Sequence, residues 1–188
     1  MIQCYITDRQ ALPAGQTLAE TISRNISAGV DWIQMREKDL PAKELLALLR
    51  SIEPHHSKIL INGRMDVALV GGAAGAHLPS HSPPPHLWRT ITPPGFLIGV
   101  SCHSAEELRM AENEGADYAV FGPVFPPLSK PPERTALGLE GFARAVAGVN
   151  IPVLALGGIT RENAASCVEA GAAGIAGISI FQRMNVRI

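Results

Sequence analysis

Three sets of residues in this chain have the types and spacing for chemistry. The first is Gln34, Arg36 and Lys38 in the segment Gln34-Met-Arg36-Glu-Lys38. Alternate residues of a strand share a face, so an amide and two cations would point the same way and attract a carboxylate or phosphate. A salt bridge with Glu37 or Asp39 is the purely structural alternative. The second is His103, which stands just before Ser104-Ala-Glu-Glu107, a capping-box pattern. A helix N-terminus beside it disfavours the imidazolium, so His103 can act as a neutral base and then donate. The third is Gly157 and Gly158 together with Gly177, Ile178 and Ser179. Glycines there would let backbone N–H groups approach a phosphate closely; alternatively they only make turns. His77, His81 and His86 have no Cys or nearby carboxylate in their spacing, and prolines 83–85 break any helix across them. Zinc needs three or four convergent ligands, so no metal is expected at these histidines.

These residues need a frame that brings them together. Short runs rich in β-branched residues predict strands at Gln3–Thr7, Trp32–Met35, Lys58–Ile61, Ala76–Leu78, Phe96–Ser101, Tyr118–Gly122, Val153–Gly157 and Gly174–Ile178. Helical spacing lies between most of them, as in Leu40–Ile52 and Ser104–Asn113. An internal echo supports the alternation. Gly29, Gly72, Gly115 and Gly171 each follow a helical stretch and precede a strand by a few residues, the first three at intervals of 43 residues. Glycine suits the left-handed position just past a helix end. Four such joints, each before an even-numbered strand, predict eight strands and an α/β chain folded as a (β/α)₈ TIM barrel, one domain over 1–188. No Gly-x-Gly-x-x-Gly follows the first strand, against a dinucleotide-binding sheet. Barrel active sites gather where strands exit at their C-terminal ends. Gln34, Arg36 and Lys38 leave strand two, Asn62 leaves strand three, and Ser101 and His103 leave strand five. Lys130 follows strand six, and the glycine sets leave strands seven and eight, where phosphate cradles are commonly built. Pro79–Pro94 and Pro123–Pro132 are read as loops.

Composition sets further bounds. Lys plus Arg is 16 and Asp plus Glu is 17, a net charge of −1, so no nucleic-acid partner and no anionic membrane surface are expected. The N-terminus shows neither the basic nor the apolar part of a signal peptide. Three scattered cysteines suggest a reducing, cytoplasmic setting. At 188 residues the chain is short for a barrel of about 250. Little of it follows strand eight, so helix eight should be short or missing. That predicts an exposed apolar stripe beside strands eight and one, covered by a partner subunit in a homo-oligomer or left as a weak point.

In this order the strand exits resemble a known family. Tyr5-Ile-Thr-Asp8, Gln34-Met-Arg36-Glu-Lys38, Ile61-Asn62-Gly-Arg64, Gly122-Pro-Val-Phe125, Gly157-Gly-Ile159 and Gly177-Ile-Ser179 are similar to the thiamine phosphate synthase/TenI superfamily, whose fold is the (β/α)₈ barrel. The synthase branch joins a pyrimidine diphosphate to a thiazole phosphate and releases pyrophosphate with Mg²⁺, held by carboxylates after strands three and four. Here Asn62 is followed by Gly63, the strand-four exit reads Pro79-Ser80-His81-Ser82, and the synthase Thr-x-Thr-Lys is altered to Pro127-Leu-Ser129-Lys130. The TenI thiazole tautomerases commonly show Asn-Gly-Arg and Leu-Pro-Ser at those exits, as in Asn62-Gly63-Arg64 and Leu78-Pro79-Ser80. The resemblance therefore implies a thiazole tautomerase, an isomerase that aromatises a thiazole carboxylate phosphate without cofactor. His103 would be catalytic. Gln34, Arg36, Lys38, Asn62, Ser101 and Lys130 would bind this phosphorylated thiazole, and Gly157, Gly158, Gly177, Ile178 and Ser179 its phosphate. The alternatives are thiamine phosphate synthase, which would need Mg²⁺, and a non-catalytic protein binding thiazole or thiamine phosphate.

Overall fold

The computed structural model describes residues 1–52, 55–126 and 135–183 of the chain. Eight parallel strands close into a barrel in chain order: β1 (Ile2–Ile6), β2 (Trp32–Met35), β3 (Ile59–Asn62), β4 (Gly75–Leu78), β5 (Leu97–Cys102), β6 (Tyr118–Phe121), β7 (Val153–Leu156) and β8 (Gly174–Gly177). Closure comes from β1 pairing with β8, Cys4 beside Ala176. Each predicted strand is present, displaced by a residue or two at most. The α-helices among the described residues are α1 (Leu18–Ser27), α2 (Ala42–Arg50), α3 (Met65–Gly71), α4 (Pro85–Arg89), α5 (Ala105–Asn113), α6 (Gly138–Val146), α7 (Arg161–Glu169) and α8 (Ser179–Gln182).

Local chemistry explains the joints. Gly29, Gly72, Gly115 and Gly171 all have positive φ, between 67° and 99°. A residue with a Cβ is strained there, so these glycines let each helix end and the chain turn back into β2, β4, β6 and β8. At the start of α1, Thr17 and Glu20 form a full capping box. At α5 the expected box is half made. Ser104 accepts the Glu107 N–H at 3.1 Å, while the Glu107 carboxylate reaches back to the His103 N–H instead. The Pro79–Pro94 segment, read as loop, contains α4. Pro85 opens that helix, where the missing N–H costs nothing.

Strand alternation divides the side chains into two layers. Outward-facing Ile33, Ile59, Ile61 and Ile98 are fully buried beneath the helices, with Leu45 and Leu49 of α2 and Phe142 of α6. Each such side chain contributes about 1.5–3 kcal/mol by leaving water. Inward-facing Cys4, Ile6, Leu60, Tyr118, Val120, Leu154 and Ala176 fill the barrel. Register puts Asn62 beside His77 and His77 beside Gly99, on the same inward face. The barrel therefore changes from apolar floor to polar mouth along its axis.

Helix eight is one turn, as expected, yet the exposed stripe predicted beside β8 and β1 is not found among the described residues. Ile180 and Phe181 are buried, with the Phe181 ring 6.0 Å from that of Tyr5. Asn25 and Arg24 of α1 donate to the Phe181 and Gln182 carbonyls. The Gln182 amide donates to the Asp8 carbonyl at 2.6 Å. A single turn pinned to α1 and to the β1 exit is enough to cover the seam. The large exposed apolar side chains lie elsewhere, at Met1, Val70, Leu87, Ile91, Met110 and Val168.

Candidate active site

The mouth is built from the strand exits upward. β1 and β2 are tied together at their C-terminal ends by Glu37. Its carboxylate is buried and accepts from the Thr7 hydroxyl at 2.5 Å and from the Arg9 N–H and guanidinium, each at 3.2 Å. The Thr7 oxygen in turn accepts the Arg36 N–H at 2.9 Å. Arg9 also grips Asp39 through two hydrogen bonds, which hold the Asp39 carboxyl at about 2, below the usual carboxylate range. Glu37 is therefore committed to Arg9, and the salt bridge it could have made with Arg36 is absent. Arg36 is half-buried at the mouth. Among the described residues it has no acidic partner within ion-pair distance. Lys38 is exposed in the turn after β2. The alternation meant to align it with Arg36 ends with the strand at Met35.

Below Arg36 lie two polar side chains, Gln34 buried and Asn62 half-buried. Asn62 donates through Nδ2 to Gln34 Oε1 at 3.1 Å, and among the described residues the buried Gln34 Nε2 has no hydrogen-bond partner. An unpaired buried donor costs roughly 1–3 kcal/mol, and a ligand acceptor or water relieves it. Beside them, His77 sits between Tyr118 and Ser101, its Nδ1 3.0 Å from the phenol oxygen and its Nε2 2.8 Å from the hydroxyl. Burial first, and then the Arg36 charge, push the His77 imidazole down to about 3, so it is neutral. His103 is half-buried on the β5 exit. Its Nδ1 lies 2.9 Å from the Gly122 carbonyl, which can only accept. Nδ1 therefore carries a hydrogen, donated to that carbonyl.

The opposite side of the mouth is backbone. Gly157 and Gly158 have φ of +99° and +60°. A Cβ on Gly157 would stand 2.6 Å from Pro123, and one on Gly158 would stand 2.5 Å from the Pro126 carbonyl. The segment after β6 runs along the β7 exit, with Val124 and Phe125 donating to the Leu156 and Gly157 carbonyls. Gly177, Ile178 and Ser179 lead from β8 into α8. Lys130 lies outside the described residues. Gln34, Arg36, Asn62, Ser101, His103 and the two glycine sets stand at the C-terminal ends of their strands, while Lys38 turns out to solvent. A cleft lined by Pro79, Pro83–Pro85 and Met110 shares only Ser101 with them.

A divalent metal of the kind the resemblance implied for a synthase does not match the donors here. Gly63 has φ +69° and no side chain, with Pro79 stacked beside it. Asp66, the carboxylate that follows the β3 exit, is held bidentately by Arg64 at 2.9 and 2.6 Å. The β4 exit carries Ser80, His81 and Ser82. Mg²⁺ takes hard oxygen ligands, above all carboxylates. Among the described residues no three His, Cys, Asp or Glu side chains converge.

Residues 3–181 match the family described as thiamine monophosphate synthase. The chain belongs to the thiamine phosphate synthase/TenI superfamily. A relative in Aquifex aeolicus with a provisional thiamine-phosphate synthase name is 42% identical over 180 residues, 94% of this chain and 95% of its own. A protein of Chlorobium luteolum named thiamine-phosphate synthase is 40% identical, covering 95% of this chain and 84% of its own length. The solved thiamine phosphate pyrophosphorylase of Pyrococcus furiosus superposes with a TM-score of 0.76 at 33% identity, covering 98% of this chain and 92% of that one. These likenesses overturn the tautomerase expectation, and with it the isomerase class. The expectation rested on two loop tripeptides, Asn62-Gly63-Arg64 and Leu78-Pro79-Ser80, whereas the relatives matched over nearly the whole chain carry synthase names. Such short loop segments vary independently of the scaffold and say less than the full length does.

Proposed function

We propose that this protein is a thiamine-phosphate synthase, a transferase joining a pyrimidine carried as its methylene diphosphate to a thiazole phosphate. The carbon–oxygen bond to the diphosphate breaks, and its electron pair leaves on pyrophosphate. The lone pair of the thiazole ring nitrogen forms the new carbon–nitrogen bond. The observation that carries the proposal is the likeness to synthase-named proteins over more than nine-tenths of the chain.

The mouth supports it. The Gln34 Nε2 and Asn62 Oδ1 groups suit the nitrogen-rich edge of a pyrimidine. Arg36, with Lys38 and Lys130, would take the diphosphate and stabilise the charge that grows on it as it leaves. Gly157, Gly158, Gly177, Ile178 and Ser179 would hold the thiazole phosphate from the other side, where backbone N–H groups suit an oxyanion. Ser101 lies between the two. His103 has no carbon-bound proton to move in this reaction and serves as a wall of the site. No step is routed through a protein-bound metal. Two phosphorylated substrates fit a cytoplasmic setting. No described helix is long and apolar enough to cross a membrane.

The test is direct. Purified protein is mixed with the pyrimidine diphosphate and thiazole phosphate, with Mg²⁺ supplied as the counter-ion of the diphosphate, and products are followed by mass spectrometry. Thiamine phosphate and pyrophosphate should appear in equal amounts. Absence of thiamine phosphate above the protein-free control overturns the proposal.

A further inference from the structure

Tyr118 is a large aromatic residue fully buried at the barrel axis. Its place is made by a neighbour with no side chain: a Cβ on Gly99, its partner across β5 and β6, would lie 2.0 Å from the phenol ring. The ring packs 4.9 Å from Trp32 and 5.6 Å from His77. This places the phenol oxygen 3.0 Å from His77 Nδ1, while His77 Nε2 lies 2.8 Å from Ser101 Oγ. The chain Tyr118–His77–Ser101 thus runs from the barrel floor to the mouth.

We infer that Tyr118 and His77 are positioning residues that fix the polarity of Ser101, making its hydroxyl a hydrogen-bond donor into the mouth. Proton counting gives the direction. Burial raises the Tyr118 phenol well above its ordinary value, so it keeps its proton. Among the described residues, His77 Nδ1 is the acceptor within its reach. Nδ1 then cannot carry hydrogen. A neutral imidazole has one N–H, which must sit on Nε2 and donate to Ser101 Oγ. With one lone pair engaged, the Ser101 proton is directed away from His77, toward the ligand. The reverse polarity would leave a buried phenol proton unsatisfied, which is costly. In the synthase reaction proposed above, on which this last step rests, the acceptor is a ligand oxygen that gains charge as the diphosphate departs. A donor preset toward that oxygen need not reorganise during the reaction.

Long-range ¹H–¹⁵N spectra of the unmodified protein at pH 7 read the His77 tautomer without any assay. The expected result is a single Nε2–H form. An Nδ1–H form or an average of the two overturns the inference. Tyr118→Phe removes one oxygen and keeps the ring stacking. It should release the tautomer into a mixture and lower kcat about tenfold, with KM for both substrates within about twofold. In a Ser101→Ala background the same change should have no further effect on kcat, because the hydroxyl it orients is gone. An equal loss in both backgrounds would mean Tyr118 acts only on packing, and overturns the inference. Failure of the synthase assay leaves the tautomer measurement decisive, so the two proposals fail separately.

Discussion

The two walls of the mouth recognise ligands by different means. From β2 to β5 the inward positions nearest the mouth are polar: Gln34, Asn62, His77 and Ser101, with Arg36 above them. From β6 to β8 they are apolar, Val120, Leu154 and Ala176, and polarity comes from backbone at Gly157, Gly158 and Gly177. Side chains on the first wall can be exchanged without moving the chain. On the second, an added atom collides: a Cβ on Gly158 would meet Pro126 and Phe125 within 2.7 Å. One wall therefore separates chemistry from stability, and the other joins them.

The largest effect should come from Arg36→Ala. Loss of the cation assigned above to the proposed diphosphate should lower kcat/KM for that substrate on the order of 100-fold. Unfolding free energy should change by no more than about 0.5 kcal/mol, since among the described residues the guanidinium has no acidic partner to abandon. Gly158→Ala should do the opposite. It should cost about 1–3 kcal/mol through overpacking and backbone strain, and raise KM for the thiazole phosphate about tenfold by displacing backbone N–H groups. Urea melts beside steady-state kinetics separate the two. If Arg36→Ala melts the fold, or Gly158→Ala leaves it untouched, the distinction between the walls collapses.

The polar wall also has a stability cost at low pH. His77 titrates near 6.5 in the unfolded chain and is held down at about 3 when folded. Below about 6.5 the unfolded state binds the extra proton, so stability from this residue is complete above that pH and lost as pH falls toward 3. Between pH 7 and 5 the loss should be about 2 kcal/mol. His77→Gln should flatten that part of the urea-unfolding profile. An identical acid dependence in the variant would move the effect to other groups.

The sequence showed the frame more plainly than the site. The four joint glycines and the β-branched runs are local signals, and local signals survive folding. Gln34, Arg36 and His103 can be placed at strand exits from the sequence because a strand exit is itself local. The Tyr118–His77–Ser101 chain was not. It depends on Gly99 lying beside Tyr118 and His77 beside Gly99, and register between strands appears nowhere in single-strand spacing. Sequence spacing groups His77 with His81 and His86, because spacing along the chain cannot tell an inward side chain from a loop one. Spacing offers Glu37 only as an alternative partner for the alternating cations, whereas the β1 exit brings Arg9 and Thr7 to it. The one signal available for Tyr118 was a large residue and a glycine at matching depth on neighbouring predicted strands.

His103 gives the smallest expected effect and the sharpest check on the corrected chemistry. A tautomerase would need a group at this position to take a proton and return it, and its removal would cost 100-fold or more, on the scale of general acid–base catalysis. The synthase reaction moves an electron pair from a carbon–oxygen bond and makes a carbon–nitrogen bond, with no proton on the path. The His103 ring is tied through Nδ1 to the Gly122 carbonyl, which suits a wall between β5 and β6. His103→Ala should therefore leave synthase kcat within about threefold, while the lost hydrogen bond costs about 1 kcal/mol of stability. A hundredfold fall in kcat with normal substrate binding would return acid–base chemistry to this side chain, and the electron-pair account of the site would have to be replaced.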